Sequence, residues 1–454
     1  MSKVEQFDLV VIGTGSGAFG VAQPCAEAGW KVAIVDSLPY GGTCALRGCD
    51  PKKMLVGVTE AMDWSQRMRD NGFQSESSSI DWAKMMAFKR SFTDSMPKNI
   101  EASLVQMGVE HLHGEARFSS SEVIQVGDRK LSARYFHIAT GARPMTLGIP
   151  GEELLTTSTQ FLELESTPSR IAFVGGGFIA FEFAHIAIRA GASEVTILQQ
   201  GKRPLVQFDP DMVEIQMQRS RDLGIEIHCE TCVKSIVKNG DALLIESTTS
   251  QGAETMVCDL VVHGAGRVPN IEALNLESAG IEARRHGILV NEFMRSTSNP
   301  AVFAAGDCAD TKAPNLTPVS ANEARIAAKN LLAGKDVQPV KYPPIPSVVF
   351  TLPPVASVGL QEEQARQRGL DFEVNLQKTD QWYSSTRVGE HHSASKVLRE
   401  KDTGKIIGAH LIGAGAEEQI NIFTMAMGAG LTANQIKAII FAYPSFASDL
   451  GNMV

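Results

Sequence analysis

Residues 8–36 read DLVVIGTGSGAFGVAQPCAEAGWKVAIVD and hold the pattern that decides the fold. An apolar run ends at Gly13, a helical stretch follows, and a second apolar run closes on Asp36. In such a unit the first glycine permits a tight turn, the second lets backbone approach a diphosphate, and the small third residue packs helix on strand. The helix N-terminus then faces the phosphates, and the acidic residue binds a ribose hydroxyl. We predict a dinucleotide site formed by Gly13, Gly15, Ser16, Gly17, Ala18 and Asp36.

The same pattern recurs at residues 171–199, IAFVGGGFIAFEFAHIAIRAGASEVTILQ, with Gly175, Gly177 and Ala180 in the loop. A single glycine string is weak evidence in a chain with 40 glycines. Here the string occurs twice, each time between an apolar strand and an amphipathic helix, which is the context in which it binds a dinucleotide. The two copies therefore predict two dinucleotide sites.

The second site lacks the acidic residue, because its last strand ends at the neutral Gln199. A carboxylate there would repel the phosphate that distinguishes NADPH from NADH. Lys202 and Arg203 follow closely and offer positive charge, so NADPH is favoured over NADH. The alternative is that both are solvated loop residues.

Between the two units, residues 41–53 read GGTCALRGCDPKK and carry two cysteines, Cys44 and Cys49. On an ideal helix they project about 140° apart, so a bridge between them requires a distorted first turn. Proximity to a helix N-terminus and to Arg47 or Lys52 predicts lowered thiol pKa values. The alternative is two free core cysteines. Arg47 either attracts an anionic substrate or offsets Asp50.

The composition and net charge of the chain argue against several classes of function. The chain has 454 residues, a formal net charge of -9 and no long Lys/Arg run, so we expect no nucleic acid partner. No window approaches the roughly 20 apolar residues of a membrane span, and the N-terminus shows no signal peptide pattern. Seven cysteines in a chain of this size do not suggest a secreted disulfide scaffold. We expect a cytoplasmic protein with no membrane association.

The whole pattern resembles the FAD-containing pyridine nucleotide–disulfide oxidoreductases, such as glutathione reductase, dihydrolipoamide dehydrogenase and mercuric reductase. The resemblance extends over nearly the entire chain, through motifs that include Ala139-Thr140-Gly141, Ala305-Gly306-Asp307 and the segment at residues 345–351. It implies that the first loop binds FAD and the second binds NAD(P)H. The FAD residues so implied also include Gly42, Thr43, Lys53, Thr140, Gly141, Gly306, Asp307, Thr317 and Pro318. The NAD(P)H residues so implied are Gly175, Gly177, Phe178, Ile179, Gln199, Lys202, Arg203 and Gly266.

By the same resemblance, Cys49 is the flavin-proximal thiolate and Cys44 the interchange thiol that meets substrate. Lys52 and Glu182 match the family's ion pair beside the reactive flavin nitrogen. Alternatively, Glu182 near a helix start only opposes the helix dipole, which is worth about 0.3–1 kcal/mol. Phe178 matches an aromatic gate over the flavin, and the alternative is a core phenylalanine behind the glycine loop.

The C-terminal segment departs from the family. Disulfide-reducing members have His-Pro-Thr, with a glutamate five residues after the histidine that shuttles protons from the partner subunit. Here Tyr443 takes the histidine position and Ser448 the glutamate position. A tyrosine titrates near 10 and is a poor base at neutrality. Tyr443 instead donates a hydrogen bond, ligates a metal ion, or is a buried interface residue.

We therefore predict an α/β protein with two Rossmann-like dinucleotide-binding domains and a C-terminal α+β dimerisation domain. The predicted bounds are 1–148 and 270–340 for FAD, 149–269 for NAD(P) and 341–454 for dimerisation. We expect a homodimer that passes electrons from NAD(P)H through FAD and the Cys44/Cys49 disulfide to an unidentified small-molecule acceptor of disulfide type, with no resident metal. One alternative is a metal-ion or quinone reductase without thiol interchange, and another is a redox-sensing flavoprotein.

Overall fold

A computed structural model describes residues 4–74 and 79–454. The chain divides into two compact units. The first unit comprises Met1–Lys52, Ala87–Met145 and Gly266–Tyr342, and the second comprises Lys53–Met86, Thr146–Ala265 and Pro343–Val454. The second unit therefore contains both the region predicted to bind NAD(P)H and the region predicted to dimerise, and the three predicted domain bounds stay a prediction.

The helices of the described residues are α1 Ser16–Glu27, α2 Gly42–Arg47, α3 Cys49–Arg67, α4 Trp82–Thr93, α5 Met96–Gln106, α6 Ser158–Phe161, α7 Phe178–Arg189, α8 Pro210–Asp222, α9 Thr317–Ala333, α10 Glu362–Gln367, α11 Tyr383–Arg387, α12 Ala416–Gly428, α13 Ala433–Lys437 and α14 Leu450–Met453. The strands are β1 Val4–Ile12, β2 Val32–Asp36, β3 Glu110–His113, β4 Ala116–Ser120, β5 Val123–Val126, β6 Arg129–Ile138, β7 Ala142–Pro144, β8 Arg170–Val174, β9 Glu194–Leu198, β10 Ile225–His228, β11 Cys232–Asn239, β12 Ala242–Thr249, β13 Gly252–Cys258, β14 Leu260–His263, β15 Arg267–Pro269, β16 Ala283–Arg284, β17 Gly287–Leu289, β18 Val302–Ala304, β19 Ala309–Asp310, β20 Ser347–Val349, β21 Val355–Gly359, β22 Phe372–Lys378, β23 Ala394–Glu400 and β24 Ile406–Ile412.

The first unit is built on a sheet with strand order β3-β2-β1-β6-β5-β4, and β18 also pairs with β6. β1 lies parallel to both β2 and β6, with Leu9 opposite Val32 and Tyr135. The apolar run of β1 is buried, and full burial of each Leu, Val or Ile contributes about 1.5–3 kcal/mol. This arrangement brings the carboxyl ends of β1 and β2 to one edge of the sheet, where the glycine loop begins.

The second unit contains a parallel sheet with strand order β10-β9-β8-β14. β8 and β9 are joined through α7, as the second sequence pattern predicts. α7 is apolar on most of its faces, and Phe181, Ala184 and Ile186 are buried in the core of this unit. A second glycine loop therefore sits at the carboxyl end of β8.

The C-terminal part of the second unit holds a five-stranded antiparallel sheet with strand order β20-β21-β24-β23-β22. α12 packs on this sheet through Ile420 and Phe423, which are fully buried. Two sheets each have a glycine loop at the carboxyl end of one strand, and a separate antiparallel sheet packs with helices. These features confirm the predicted fold class. No helix in the described residues is long and apolar enough to cross a membrane.

Candidate active site

The first glycine loop has the geometry that its sequence predicts. Gly13 follows β1 with φ of 110°, and a Cβ at this position would lie 2.3 Å from the Ala139 carbonyl oxygen. Gly15 is the N-cap of α1 and offers no side chain to cap the helix. No N-cap side chain therefore competes with a ligand at this helix N-terminus, which favours an anionic ligand. A diphosphate fits this loop.

Asp36 is held at the end of β2 by two donors. The Thr14 hydroxyl donates to Asp36 Oδ2 at 2.6 Å, and the Leu38 amide donates to Oδ1 at 3.0 Å. Thr14 Oγ1 also accepts from the Gly41 amide at 3.2 Å. Thr14 thus links the glycine loop, the acidic residue and the start of the cysteine motif. Its position inside the glycine string gave no signal of this role.

Gly306 is positioned by Glu323, a buried residue of α9 that no sequence motif singles out. Glu323 Oε2 accepts from the Gly306 amide at 2.8 Å, and Oε1 accepts from the Thr311 and Tyr342 hydroxyls at 3.0 and 2.7 Å. Burial raises the pKa of Asp307, and the neighbouring Arg267 opposes that increase. No sequence pattern distinguishes Glu323 from other acidic residues, since its role depends on which face of α9 meets the loop.

The predicted FAD residues fall mostly in the first unit. They are Gly13, Gly15, Ser16, Gly17, Ala18, Asp36, Gly42, Thr43, Thr140, Gly141, Gly306, Asp307, Thr317 and Pro318. Gly42 approaches the glycine loop so closely that a Cβ there would lie 2.4 Å from the Gly15 Cα. Lys53 belongs to the second unit, where its ammonium lies 4.5 Å from the centre of the Phe350 ring.

The two motif cysteines lie on either side of a helix break. Cys44 is in α2, Cys49 begins α3, and Gly48 separates the two helices. A Cβ at Gly48 would lie 2.9 Å from the Thr43 carbonyl oxygen, so a side chain would force the two helices apart. The break brings the thiols within hydrogen-bonding reach, and both are free thiols in the structure. The distortion that the five-residue spacing requires is therefore present.

The pair is electrostatically asymmetric. The Cys44 thiol donates a hydrogen bond to Cys49 and lowers the pKa of Cys49 to about 6, although burial acts in the opposite direction. Thr317 Oγ1, at 3.6 Å from Cys49 Sγ, and the Lys52 ammonium stabilise the same thiolate. The hydrogen bond with Cys49 and burial raise the pKa of Cys44 well above its usual range. The lowered pKa predicted for both cysteines is thus found at Cys49 alone, because the hydrogen bond between the two sulfurs favours the thiolate of Cys49 and the protonated thiol of Cys44.

We expect the reduced protein to show a thiolate titration with a midpoint near the pKa of about 6 of Cys49. Cys44→Ala removes the hydrogen-bond donor and should move this midpoint upward, whereas Cys49→Ser should abolish the transition. The ultraviolet absorbance of the thiolate, followed against pH under anaerobic conditions, measures both effects. An unchanged midpoint in Cys44→Ala would show that Cys44 does not stabilise the thiolate.

The second glycine loop repeats the geometry of the first. Gly175 has φ of 103°, and a Cβ there would lie 2.5 Å from the carbonyl carbon of Gly264. α7 then begins at Phe178, whose side chain is 48% exposed. The alternative of a core phenylalanine at this position is therefore wrong. Ile179 is the next residue of α7, and Gly266 belongs to the first unit rather than to the unit that carries this loop.

Gln199 connects this loop to the segment that follows β9. Its Oε1 accepts from the Gly176 amide at 2.8 Å, and its Nε2 donates to the Arg203 carbonyl oxygen at 3.3 Å. The Arg203 guanidinium donates to the carbonyl oxygens of Phe208 and Val206 at 2.9 and 3.3 Å. Lys202 is exposed. Arg203 is thus engaged within its own loop, and Lys202 is the more available positive charge.

Glu182 is buried in the second unit, where its Oε1 accepts from the Phe350 amide at 2.8 Å. This contact ties α7 to the segment before β21 and gives the carboxylate a defined position. Lys52 belongs to the first unit, so the predicted pairing of Lys52 with Glu182 stays a prediction.

Tyr443 is 79% exposed, and its ring stacks on Tyr383 with centroids 6.4 Å apart. Ser448, at the position of the family's glutamate, caps a short turn by exchanging backbone-to-hydroxyl hydrogen bonds with Ser445. Burial raises the pKa of Asp449, which accepts a hydrogen bond from Ser384. Among the described residues, no carboxylate is hydrogen-bonded to Tyr443.

Two family models match the chain. The model of the pyridine nucleotide-disulphide oxidoreductases matches residues 7–324, and the model of their dimerisation domain matches residues 345–454.

Within the described residues there is no group of three or more His, Cys, Asp or Glu side chains placed to hold a metal ion.

Individual relatives carry several activities. The chain is 32% identical to a mercuric reductase of Staphylococcus aureus, over 98% of this chain and 81% of the relative. It is 32% identical to a glutathione reductase of Burkholderia cepacia, over 98% and 97%. The solved Cu(II) complex of the HOCl-induced flavoprotein disulfide reductase RclA from Escherichia coli superposes with a TM-score of 0.88 and 27% identity, over 99% of both chains.

The two glycine loops and the adjacent cysteines therefore agree with matches that extend over nearly the whole chain. The chain belongs to the pyridine nucleotide-disulphide oxidoreductases, a family of FAD-dependent enzymes that use NAD(P)H.

Proposed function

We propose that this enzyme passes electrons from NAD(P)H through FAD to the Cys44–Cys49 disulfide, and from the resulting dithiol to a disulfide-type acceptor. The observation that supports this proposal most strongly is the asymmetric cysteine pair beside the first glycine loop. FAD, when bound, would be the carrier that accepts a hydride and delivers two electrons to a disulfide. The residues of the chain would hold that carrier, stabilise the Cys49 thiolate and expose Cys44 to the acceptor.

With a disulfide acceptor, the dithiol is oxidised in two thiol–disulfide exchange steps. The Cys44 sulfur, after losing its proton, attacks one acceptor sulfur, a mixed disulfide forms and the first product leaves as a thiol. Cys49 then attacks the Cys44 sulfur, the internal disulfide reforms and the second product thiol is released. The dithiol loses two electrons and the acceptor gains two. Since the pKa of Cys44 is raised, the first step depends on a base that receives its proton.

A metal ion is a second candidate acceptor. RclA, which shares this fold over 99% of both chains, has a solved Cu(II) complex, and mercuric reductases are among the relatives. Reduction of two Cu(II) ions to two Cu(I) ions takes two electrons from the cysteine pair, reforms the disulfide and releases the protons that the two sulfurs carry. This reaction requires no proton transfer to a leaving thiol, which suits a site with Tyr443 in place of a histidine. We propose Cu(II) as the metal ion to test first.

A panel of acceptors distinguishes these candidates. The purified holoenzyme is given NADPH with glutathione disulfide, lipoamide, a quinone or Cu(II), and NADPH consumption is followed. Turnover with a disulfide supports the first candidate. Turnover with Cu(II), together with no turnover with either disulfide, supports the second candidate. Turnover with a quinone that persists in Cys44→Ser indicates that electrons pass directly from the flavin. Negligible turnover with every acceptor would instead favour a redox-sensing flavoprotein.

We propose NADPH as the preferred nucleotide, on the basis of the neutral Gln199 and the exposed Lys202. Gln199→Glu should lower the ratio of kcat/KM for NADPH to that for NADH by about tenfold, because a carboxylate repels the extra phosphate. Lys202→Glu should act in the same direction, and Lys234→Glu on an exposed strand position is the matched control. If Gln199→Glu leaves the ratio unchanged, the nucleotide phosphate does not lie near this residue.

We propose a homodimer in which Tyr443 of one chain approaches Cys44 of the other. The dimerisation-domain match and exposed apolar side chains in that region support the proposal, with Ile440 96% exposed and Met425 70% exposed. Exposed apolar residues of this size are typical of a surface that another chain covers.

We also propose a cytoplasmic location. Seven cysteines, an odd number spread over 454 residues, do not suggest the framework of a secreted disulfide-rich protein. In a reducing compartment, paired cysteines are used for redox chemistry rather than for stability.

A further inference from the structure

Arg47 lies inside the cysteine motif, at the last residue of α2, and its side chain is half-buried. Among the described residues, its guanidinium makes a single hydrogen bond, from Nη1 to the Pro39 carbonyl oxygen at 3.4 Å. A guanidinium carries five donors, and taking a charge out of water is costly unless an anion and further acceptors are present. Within the described residues, Arg47 therefore forms no direct ion pair with a carboxylate.

The direction of the side chain separates the two roles that the sequence left open for Arg47. Pro39 lies in the segment between Asp36 and the cysteine motif, so the guanidinium turns back towards the end of β2. Burial lowers the pKa of Arg47, and the negative charge of Asp36 opposes that decrease. Asp36 already accepts from Thr14 and Leu38 and forms no ion pair with Arg47 in the described structure. No ion pair joins Arg47 to Asp50 among the described residues, so its direction favours a role other than offsetting Asp50.

Arg267 is a second half-buried arginine, and the charge of Arg47 acts on it. Arg267 donates from Nη2 to the Ala142 carbonyl oxygen. Burial and the positive charge of Arg47 lower the pKa of Arg267, while Asp307 opposes that decrease. Asp36 and Asp307 act on these two guanidiniums without a direct ion pair in the described residues, and each guanidinium donates to a single carbonyl group, so an anion that both can reach would be favoured.

The glycine loop lies beside this pair. Gly42, the first residue of α2, packs directly on Gly15, the N-cap of α1. α2 is six residues long, so Arg47 at its end remains within about one and a half turns of the loop. We propose that Arg47 is a ligand of the diphosphate of FAD, which gives a residue of the redox motif a cofactor-binding role. This inference rests on the proposal that the first loop binds FAD.

The proposal is tested by measuring FAD affinity rather than activity. Arg47→Met keeps the apolar stem and removes the charge, and Arg47→Lys keeps a charge but not the planar set of donors. We expect Arg47→Met to raise the Kd for FAD at least about tenfold, with Arg47→Lys in between. The dependence of Kd on salt concentration should also be weaker in Arg47→Met, since one ionic contact is lost. Arg117→Met, at an exposed arginine of the same unit, is the matched control.

Flavin fluorescence on mixing FAD with apoprotein gives the Kd, and thermal melting of the apoproteins shows whether each variant folds like wild type. An unchanged Kd together with a raised KM for an anionic acceptor at saturating FAD would assign Arg47 to the substrate and overturn the proposal. An unchanged Kd and an unchanged KM would overturn it as well. Failure of wild-type protein to bind FAD would instead refute the proposed function, and this outcome is distinct from both. If Arg47→Met does not fold, Arg47→Lys decides by the same measurement.

Discussion

Cys44→Ser is expected to lower the rate of NADPH-dependent disulfide reduction by about 10³-fold or more, because no mixed disulfide with the acceptor can form. Serine keeps a hydroxyl that can donate to Cys49, so the Cys49 thiolate should be largely retained. NADPH should still bleach the flavin absorbance of the variant at the wild-type rate. The measurement pairs steady-state turnover with stopped-flow absorbance, so that loss of the nucleophile is separated from loss of the cofactor.

Cys229→Ser is the matched control for this prediction. Cys229 is also partly exposed, but it follows β10 in the second unit and is not part of the cysteine motif. Its substitution should leave disulfide turnover unchanged. Wild-type turnover in Cys44→Ser would mean that electrons reach the acceptor without thiol interchange, as in the quinone alternative.

Tyr443→His should raise glutathione disulfide reduction by about 10²–10⁴-fold, the range typical for a positioned general acid–base. Tyr443 is an exposed side chain, so the substitution should not disturb folding. A histidine titrates near pH 6.5, and the gain should therefore appear as a new ionisation in the pH–rate profile of the variant. Cu(II) reduction requires no such base and should change little.

Tyr383→His tests whether position matters rather than the mere addition of an imidazole. Tyr383 stacks on Tyr443 and is also exposed, at 56%, but it does not occupy the histidine position of the family. It should gain no activity. If Tyr443→His remains dimeric and flavin-loaded but also gains no glutathione disulfide reductase activity, the missing histidine does not limit the rate of disulfide reduction.

The features that could be predicted from sequence are those whose physical requirement is local. Gly13 and Gly175 both adopt positive φ and approach a neighbouring backbone, so no other residue type fits the turn. The helix break between the cysteines follows from a spacing that an ideal helix cannot bridge, and Gly48 provides it. These patterns are sufficient to predict the fold class and the place of the redox pair.

The remaining features depend on which side chains meet across long separations. Glu323 accepts from Gly306, 17 residues earlier, and Thr14 contacts Asp36, 22 residues later. The opposite pKa directions of Cys44 and Cys49 arise from the hydrogen bond between them, which sequence spacing does not reveal. The direction of Arg47, towards Pro39 rather than Asp50, is likewise set by packing.

The central claim is that the bound cofactor and the Cys44/Cys49 pair form one electron-transfer chain, and an anaerobic titration of the oxidised holoenzyme with NADPH tests it most directly. We expect complete reduction to consume one more equivalent of NADPH per chain than flavin reduction alone requires, with a new thiol pair appearing at Cys44 and Cys49. Cys44→Ser should consume only the equivalent needed for the flavin. Identical consumption by wild type and Cys44→Ser would contradict the account.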